Sequence, residues 1–119
     1  ATVHYLYSYD ALINDQRLTD LARSAAASLY GQDVLLPFPA GTGSEDFSAY
    51  RRKAPGVYCL LGTRNPEVEG SGLIHHHEKF TVDEYALHYG SAVMAQFAID
   101  YLATAPRDGC SAGPETGGR

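Results

Sequence analysis

The sequence predicts an α/β chain, and three observations predict it. Leu18, Leu21, Ala22, Ala25 and Leu29 recur at helical spacing, and a second stripe of Leu87, Met94, Ala98, Tyr101 and Leu102 repeats that period near the C-terminal end. Between and before them lie apolar runs, Thr2–Tyr9 and Val57–Leu61, with the length and flanks of strands.

Taken in order, the Thr2–Tyr9 run places Val3, Tyr5, Tyr7 and Tyr9 on one face and Thr2, His4, Leu6 and Ser8 on the other, the alternation of a half-buried strand. Asn14 or Asp15 then caps the first helix, which Gly31 is placed to end. Asp33–Leu36 is a short apolar strand candidate, stopped by Pro37 and Pro39, neither of which donates to a sheet ladder. Permissive backbone over residues 40–43 leads to Ser44, a good N-cap. Glu45 and Asp46 follow, and their charges suit the positive end of a helix reaching about Lys53.

Pro55-Gly56 breaks that helix, and the continuous Val57–Leu61 run suits a strand covered on both faces within the main sheet. A surface loop over residues 63–72, with Asn65-Pro66 and several glycines, delivers the chain to three consecutive histidines. Thr81-Val82-Asp83-Glu84 has the form of a capping box and opens a long helix to about Ala103. Residues 105–119 are rich in Gly, Pro and charge without apolar periodicity, which predicts a disordered tail.

Composition narrows the function classes. At 119 residues the default is one compact body, and 45% apolar with 19% charged residues is ordinary for a globular chain. No apolar run approaches the roughly 18 residues of a membrane span. A net charge of -5, offset locally only at Arg51, Arg52 and Lys53, disfavours a nucleic-acid partner. Cys59 and Cys110 form neither a disulfide framework nor a CxxC metal motif, which fits a reducing cytoplasm. The chain opens on Ala1 and a strand-like stretch, which reads as a cut or processed end.

Two clusters carry ligand-type chemistry. His75-His76-His77-Glu78 precedes a capped helix, where a loop can aim one imidazole at a divalent metal, although adjacent histidines cannot all face one ion. On spacing alone the run reads first as a solvated polar loop. Gly43-Ser44-Glu45-Asp46-Phe47 offers backbone N–H groups and two carboxylates to a polar substrate, beside the plainer account of helix capping.

In chain order, Asn14-Asp15 before a helix, Gly43 to Phe47, Pro55-Gly56 before a strand ending at Leu61-Gly62, and His76 four residues before Phe80 together resemble one family. It is the metal-dependent aminoacylase, hippurate hydrolase and indole-acetyl-amino-acid hydrolase group, relatives of the two-domain zinc carboxypeptidases. Lys79 and Phe80 match the family's Leu-His-Ser-Pro-Lys-Phe type of segment, whereas His75, His77 and Glu78 stand at its Leu, Ser and Pro positions. By that register His76 is the metal ligand, and His75 or His77 takes the role if the loop is shifted by one.

The resemblance implies a piece of a larger enzyme. Residues 1–36 would be the second half of a ferredoxin-like lid, or dimerisation, domain, and 37–104 the C-terminal strand and helices of a zinc-peptidase-like catalytic domain. It further implies a pair of divalent ions, zinc or manganese before cobalt or nickel, with the general base and the other ligands upstream. The substrate is then an N-acyl amino acid or peptide-like amide, bound with help from Gly43, Ser44, Glu45 and Asp46. The missing N-terminal half is an expected partner, and a homodimer through the lid is a further one; the isolated chain is expected to be inactive. A different class of function is a self-sufficient binding domain that uses Tyr5, Tyr7 and Tyr9 as a contact surface.

Overall fold

The computed structural model describes residues 1–4, 10–41 and 43–104. Tyr5, Tyr7 and Tyr9, the centre of the first predicted strand, and the tail from residue 105 onward lie outside the described residues. Three α-helices are present in them: α1 (Gln16–Tyr30), α2 (Phe47–Arg51) and α3 (Ala86–Thr104).

Helix α1 starts and stops where its sequence dictates. The Asp15 carboxylate accepts the Leu18 N–H at 3.0 Å, and the Thr19 hydroxyl donates to the Asp15 carbonyl at 2.8 Å. Gly31, at φ 86°, turns the chain out of the helix while its N–H still donates to the Ala27 carbonyl at 2.9 Å. Leu18, Ala22 and Ala25 are its buried face.

That face packs along α3. Tyr30, at the end of α1, meets Tyr89, near the start of α3, edge to face at 5.0 Å. At the other end the Arg17 guanidinium lies 5.6 Å from the Tyr101 ring centre, so the two helices run antiparallel. The small side chains Ala22 and Ala25 suit close helix approach.

Three local expectations are corrected by the structure. Asp33–Leu36 is not a strand: residues Gln32–Val34 form one 3-10 turn, with the Leu35 N–H donating to the Gln32 carbonyl at 3.1 Å. Gly31 redirects the chain at once and Pro37 follows, leaving too few residues for a ladder. The helix after the acidic loop is shorter than expected, Phe47–Arg51, and Ser44 does not cap it. The last helix opens at Ala86, and Asp83 rather than Thr81 holds its entrance, accepting the Tyr85 N–H at 3.0 Å.

The stripe expected to be the core of α3 is exposed, with Met94 at 74% and Leu102 at 71%. Apolar residues surround this helix on every side, so α1 covers only part of its surface. Val57–Leu61 is likewise free of any sheet ladder among the described residues, and Leu60 is exposed.

What the Val57–Leu61 segment has is a side-chain substitute for a ladder. The Asn14 amide donates to the Tyr58 carbonyl at 3.0 Å and accepts the Tyr58 N–H at 2.8 Å, while the Asp15 N–H donates to the Gly56 carbonyl at 3.0 Å. Arg51 adds bonds to the carbonyls of Ile13 and Ala54, both 3.0 Å, and Arg52 pairs with Asp10 at 3.0 Å. The entry to α1 is thereby tied to the exit of α2.

Candidate functional site

The acidic loop uses Glu45 twice. One carboxylate oxygen accepts the Phe47 N–H at 3.1 Å, which starts α2 in place of the expected Ser44 cap, and its carbonyl accepts the Ser48 N–H at 3.1 Å. Hydrogen-bonding attraction to that carboxylate, followed by desolvation and its negative charge, holds the Tyr58 phenol above its usual pKa of 10.0. Phe47 leans against the Tyr58 ring at 5.7 Å. Gly43, Ser44 and Asp46 are exposed at the mouth of this loop. Tyr58 was not a candidate from sequence, because its place in an apolar run pointed to packing.

The three histidines are not equivalent. His75 packs edge to face on Phe80 at 4.8 Å. His77 accepts the Lys79 N–H at Nδ1, 3.1 Å, so one of its ring nitrogens is engaged within its own turn. His76 has φ 69°, in the left-handed region that a residue with a Cβ adopts at a cost. Its imidazole makes no hydrogen bond or ring contact among the described residues, and it is exposed at the loop apex.

A polar clasp closes the base of this loop. Ser71, 5% exposed, both donates to the Asn65 carbonyl at 2.6 Å and accepts the Asn65 N–H at 2.9 Å. The Asn65 amide donates to Asp83 at 2.8 Å, and the Asp83 N–H donates to the Thr63 carbonyl at 3.1 Å. Gly70, at φ 87°, lies with its Cα hydrogen where a Cβ would strike the Lys79 carbonyl. Sequence inspection passed over this clasp: Asn65-Pro66 reads as a turn, and nothing local pairs it with a residue 18 positions away.

The donor chemistry suits one position of a metal site. His76 presents an exposed imidazole that makes no hydrogen bond among the described residues, while the His75 ring packs on Phe80 and His77 Nδ1 accepts the Lys79 N–H. No group of three or more His, Cys, Asp or Glu converges among the described residues. Among the described residues the acidic loop and the histidine loop therefore do not combine into a group of three such ligands.

Residues 1–100 match the family described as Peptidase family M20/M25/M40. Thermostable carboxypeptidase 2 of Saccharolobus solfataricus is 36% identical over 93 residues, which are 78% of this chain and 23% of that protein. N-acetylcysteine deacetylase of Bacillus subtilis is 36% identical over 91 residues, 76% of this chain and 22% of that protein. IAA-amino acid hydrolase ILR1-like 6 of Arabidopsis thaliana is 31% identical over 106 residues, covering 86% and 23%. The chain thus spans about a quarter of the length of these curated relatives. No solved structure matches it significantly.

Proposed function

The chain belongs to peptidase family M20/M25/M40, and on that premise we propose that it is the C-terminal part of a metal-dependent hydrolase acting on the amide bond of N-acyl amino acids or peptide-like substrates. The observation that carries this reading is the family match across residues 1–100, joined by relatives whose names describe a carboxypeptidase, a deacetylase and amino-acid conjugate hydrolases.

Within that enzyme His76 contributes one imidazole to the metal centre, and the remaining ligands and the general base come from residues outside this chain. Divalent ions, zinc or manganese first, supply carbonyl polarisation and an activated water when bound. The acidic loop, Gly43 to Asp46, faces substrate, with the Glu45 carboxylate oriented by the bond it accepts from the Phe47 N–H.

Exposed apolar side chains support a larger body around this one. Leu36 is 81% and Phe38 75% exposed, and both flank the point, near Pro37, where the lid half gives way to the catalytic half in this proposal. The upstream half of the enzyme is the expected cover, and the lid half, residues 1–36, is where a second copy would pair. No helix among the described residues is long and apolar enough to cross a membrane.

The test is hydrolysis of N-acyl amino acids and dipeptides by the native full-length protein, with and without a chelator, beside the 119-residue chain alone. Chelator-sensitive turnover by the former and none by the latter is expected. Turnover by the 119-residue chain alone overturns the proposal.

A further inference from the structure

We infer that Asp83 and Ser71, acting through Asn65, are positioning residues for His76. The inference rests on the proposal that His76 is a metal ligand, and it concerns what holds that imidazole in place.

The loop that carries His76 has little structure of its own. Its internal bonds are the His77 N–H to the Ile74 carbonyl at 3.3 Å, the Phe80 N–H to the His77 carbonyl at 2.9 Å and the Lys79 N–H to His77 Nδ1 at 3.1 Å, all local turns with no ladder. Residues 75–79 are all exposed. A loop so built takes its position from the points where it is anchored.

Both anchors belong to the clasp. On the incoming side, Ser71 is buried and locks the Asn65 backbone through two bonds, while Leu73 donates from its N–H to the Gly70 carbonyl at 3.1 Å. On the outgoing side, Asp83 spends its two carboxylate oxygens differently: one accepts the Tyr85 N–H at the mouth of α3, and the other accepts the Asn65 amide at 2.8 Å. That second bond joins the two anchors directly.

Gly70 completes the closure, since its bare Cα lets the Lys79 carbonyl approach from the far end of the loop. The loop apex is therefore fixed relative to the first turn of α3 by a closed ring of bonds running Ser71, Asn65, Asp83. Losing the Asp83 carboxylate removes the side-chain link between the two anchors and leaves only the backbone bonds from the Asp83 N–H to the Thr63 carbonyl and from the Thr81 N–H to the Gly70 carbonyl to hold the base of the loop. His76, held at a left-handed φ of 69°, then relaxes towards commoner backbone geometries and its imidazole leaves the aim it had.

The experiment measures zinc affinity by competition with a chromophoric chelator, together with kcat, KM and melting temperature, in the native full-length protein and its Asp83→Ala, Asp83→Asn, Ser71→Ala and His76→Ala variants. Partners of this supporting kind typically cost roughly 10–100-fold in metal affinity or activity when removed. We expect Asp83→Ala and Ser71→Ala to lose affinity and kcat within that range with KM nearly unchanged. Asp83→Asn, which keeps one acceptor, should recover part of the loss.

Unchanged zinc affinity and kcat in Asp83→Ala, with only a lowered melting temperature, overturns the inference while His76→Ala still loses both. If His76→Ala itself retains full zinc affinity and activity, the ligand assignment fails first and the positioning role falls with it.

Discussion

Asn14 and Tyr58 pair as two strands would, although only one of them contributes backbone: the Asn14 side-chain amide donates to the Tyr58 carbonyl at 3.0 Å and accepts its N–H at 2.8 Å. A planar amide has the same donor and acceptor spacing as a peptide group, so it satisfies both polar groups of a residue that has no ladder partner among the described residues. The pair is solvent-exposed, which limits its net value.

Asn14→Ala removes both bonds. It is expected to lower stability by about 1 kcal/mol, the usual net worth of such bonds where water competes for them. The midpoint of urea denaturation measures it, and Asn14→Asp, which keeps the acceptor and loses the donor, should fall between.

Gly70→Ala places a Cβ against the Lys79 carbonyl and does so at φ 87°. Steric contact and left-handed strain act together, and a loss of roughly 1–3 kcal/mol is expected. Amide hydrogen exchange across residues 74–80 should accelerate in the same variant, because the clasp is where the loop is pinned.

At His76 stability and function should move in opposite directions. Replacing it with Gly removes the cost of a Cβ at φ 69°, about 1–2 kcal/mol, offset in part by the greater freedom of Gly in the unfolded chain. His76→Gly is therefore expected to melt no lower than wild type while amide hydrolysis by the full-length protein is lost. Added imidazole should restore a fraction of it.

Glu45→Gln removes the charge that Tyr58 faces. The Tyr58 phenol, now held above 10.0, should titrate closer to that ordinary value in a spectrophotometric pH titration. Its sign for stability follows from proton counting: between the unfolded value and the raised folded one, the folded chain keeps a proton the unfolded chain has released. That contribution is complete below pH 10 and fades as pH rises through the folded value, and Glu45→Gln should weaken the fade. On the proposal that this loop faces substrate, the variant also loses kcat/KM by roughly tenfold, about 1.4 kcal/mol of transition-state stabilisation, with zinc content little altered.

The sequence showed some of this architecture plainly. Asp15, Leu18, Ala22, Ala25 and Gly31 were legible as cap, stripe and stop because each acts within a few residues of its partner. The stripe of α3 was legible as helix but not as exposed surface, since periodicity reports a face and says nothing about what covers it. Ser44 was read as a cap from its type, whereas Glu45 does that work, one residue on. Asn65, Ser71 and Asp83 were invisible as a set, because their bonds span 6 and 18 positions of loop. Register against the family segment singles out His76; the structure adds that His75 packs on Phe80 and that His77 accepts the Lys79 N–H within its own turn.

The most direct measurement compares zinc affinity in the native full-length protein after His75→Ala, His76→Ala and His77→Ala, one at a time, with folding checked by circular dichroism. His76→Ala alone is expected to lose a zinc ligand, with affinity and hydrolysis collapsing together while the fold persists. His75→Ala should cost only its contact with Phe80, and His77→Ala only the bond from the Lys79 N–H. Full zinc affinity in His76→Ala, or its loss in His75→Ala or His77→Ala instead, would contradict the assignment.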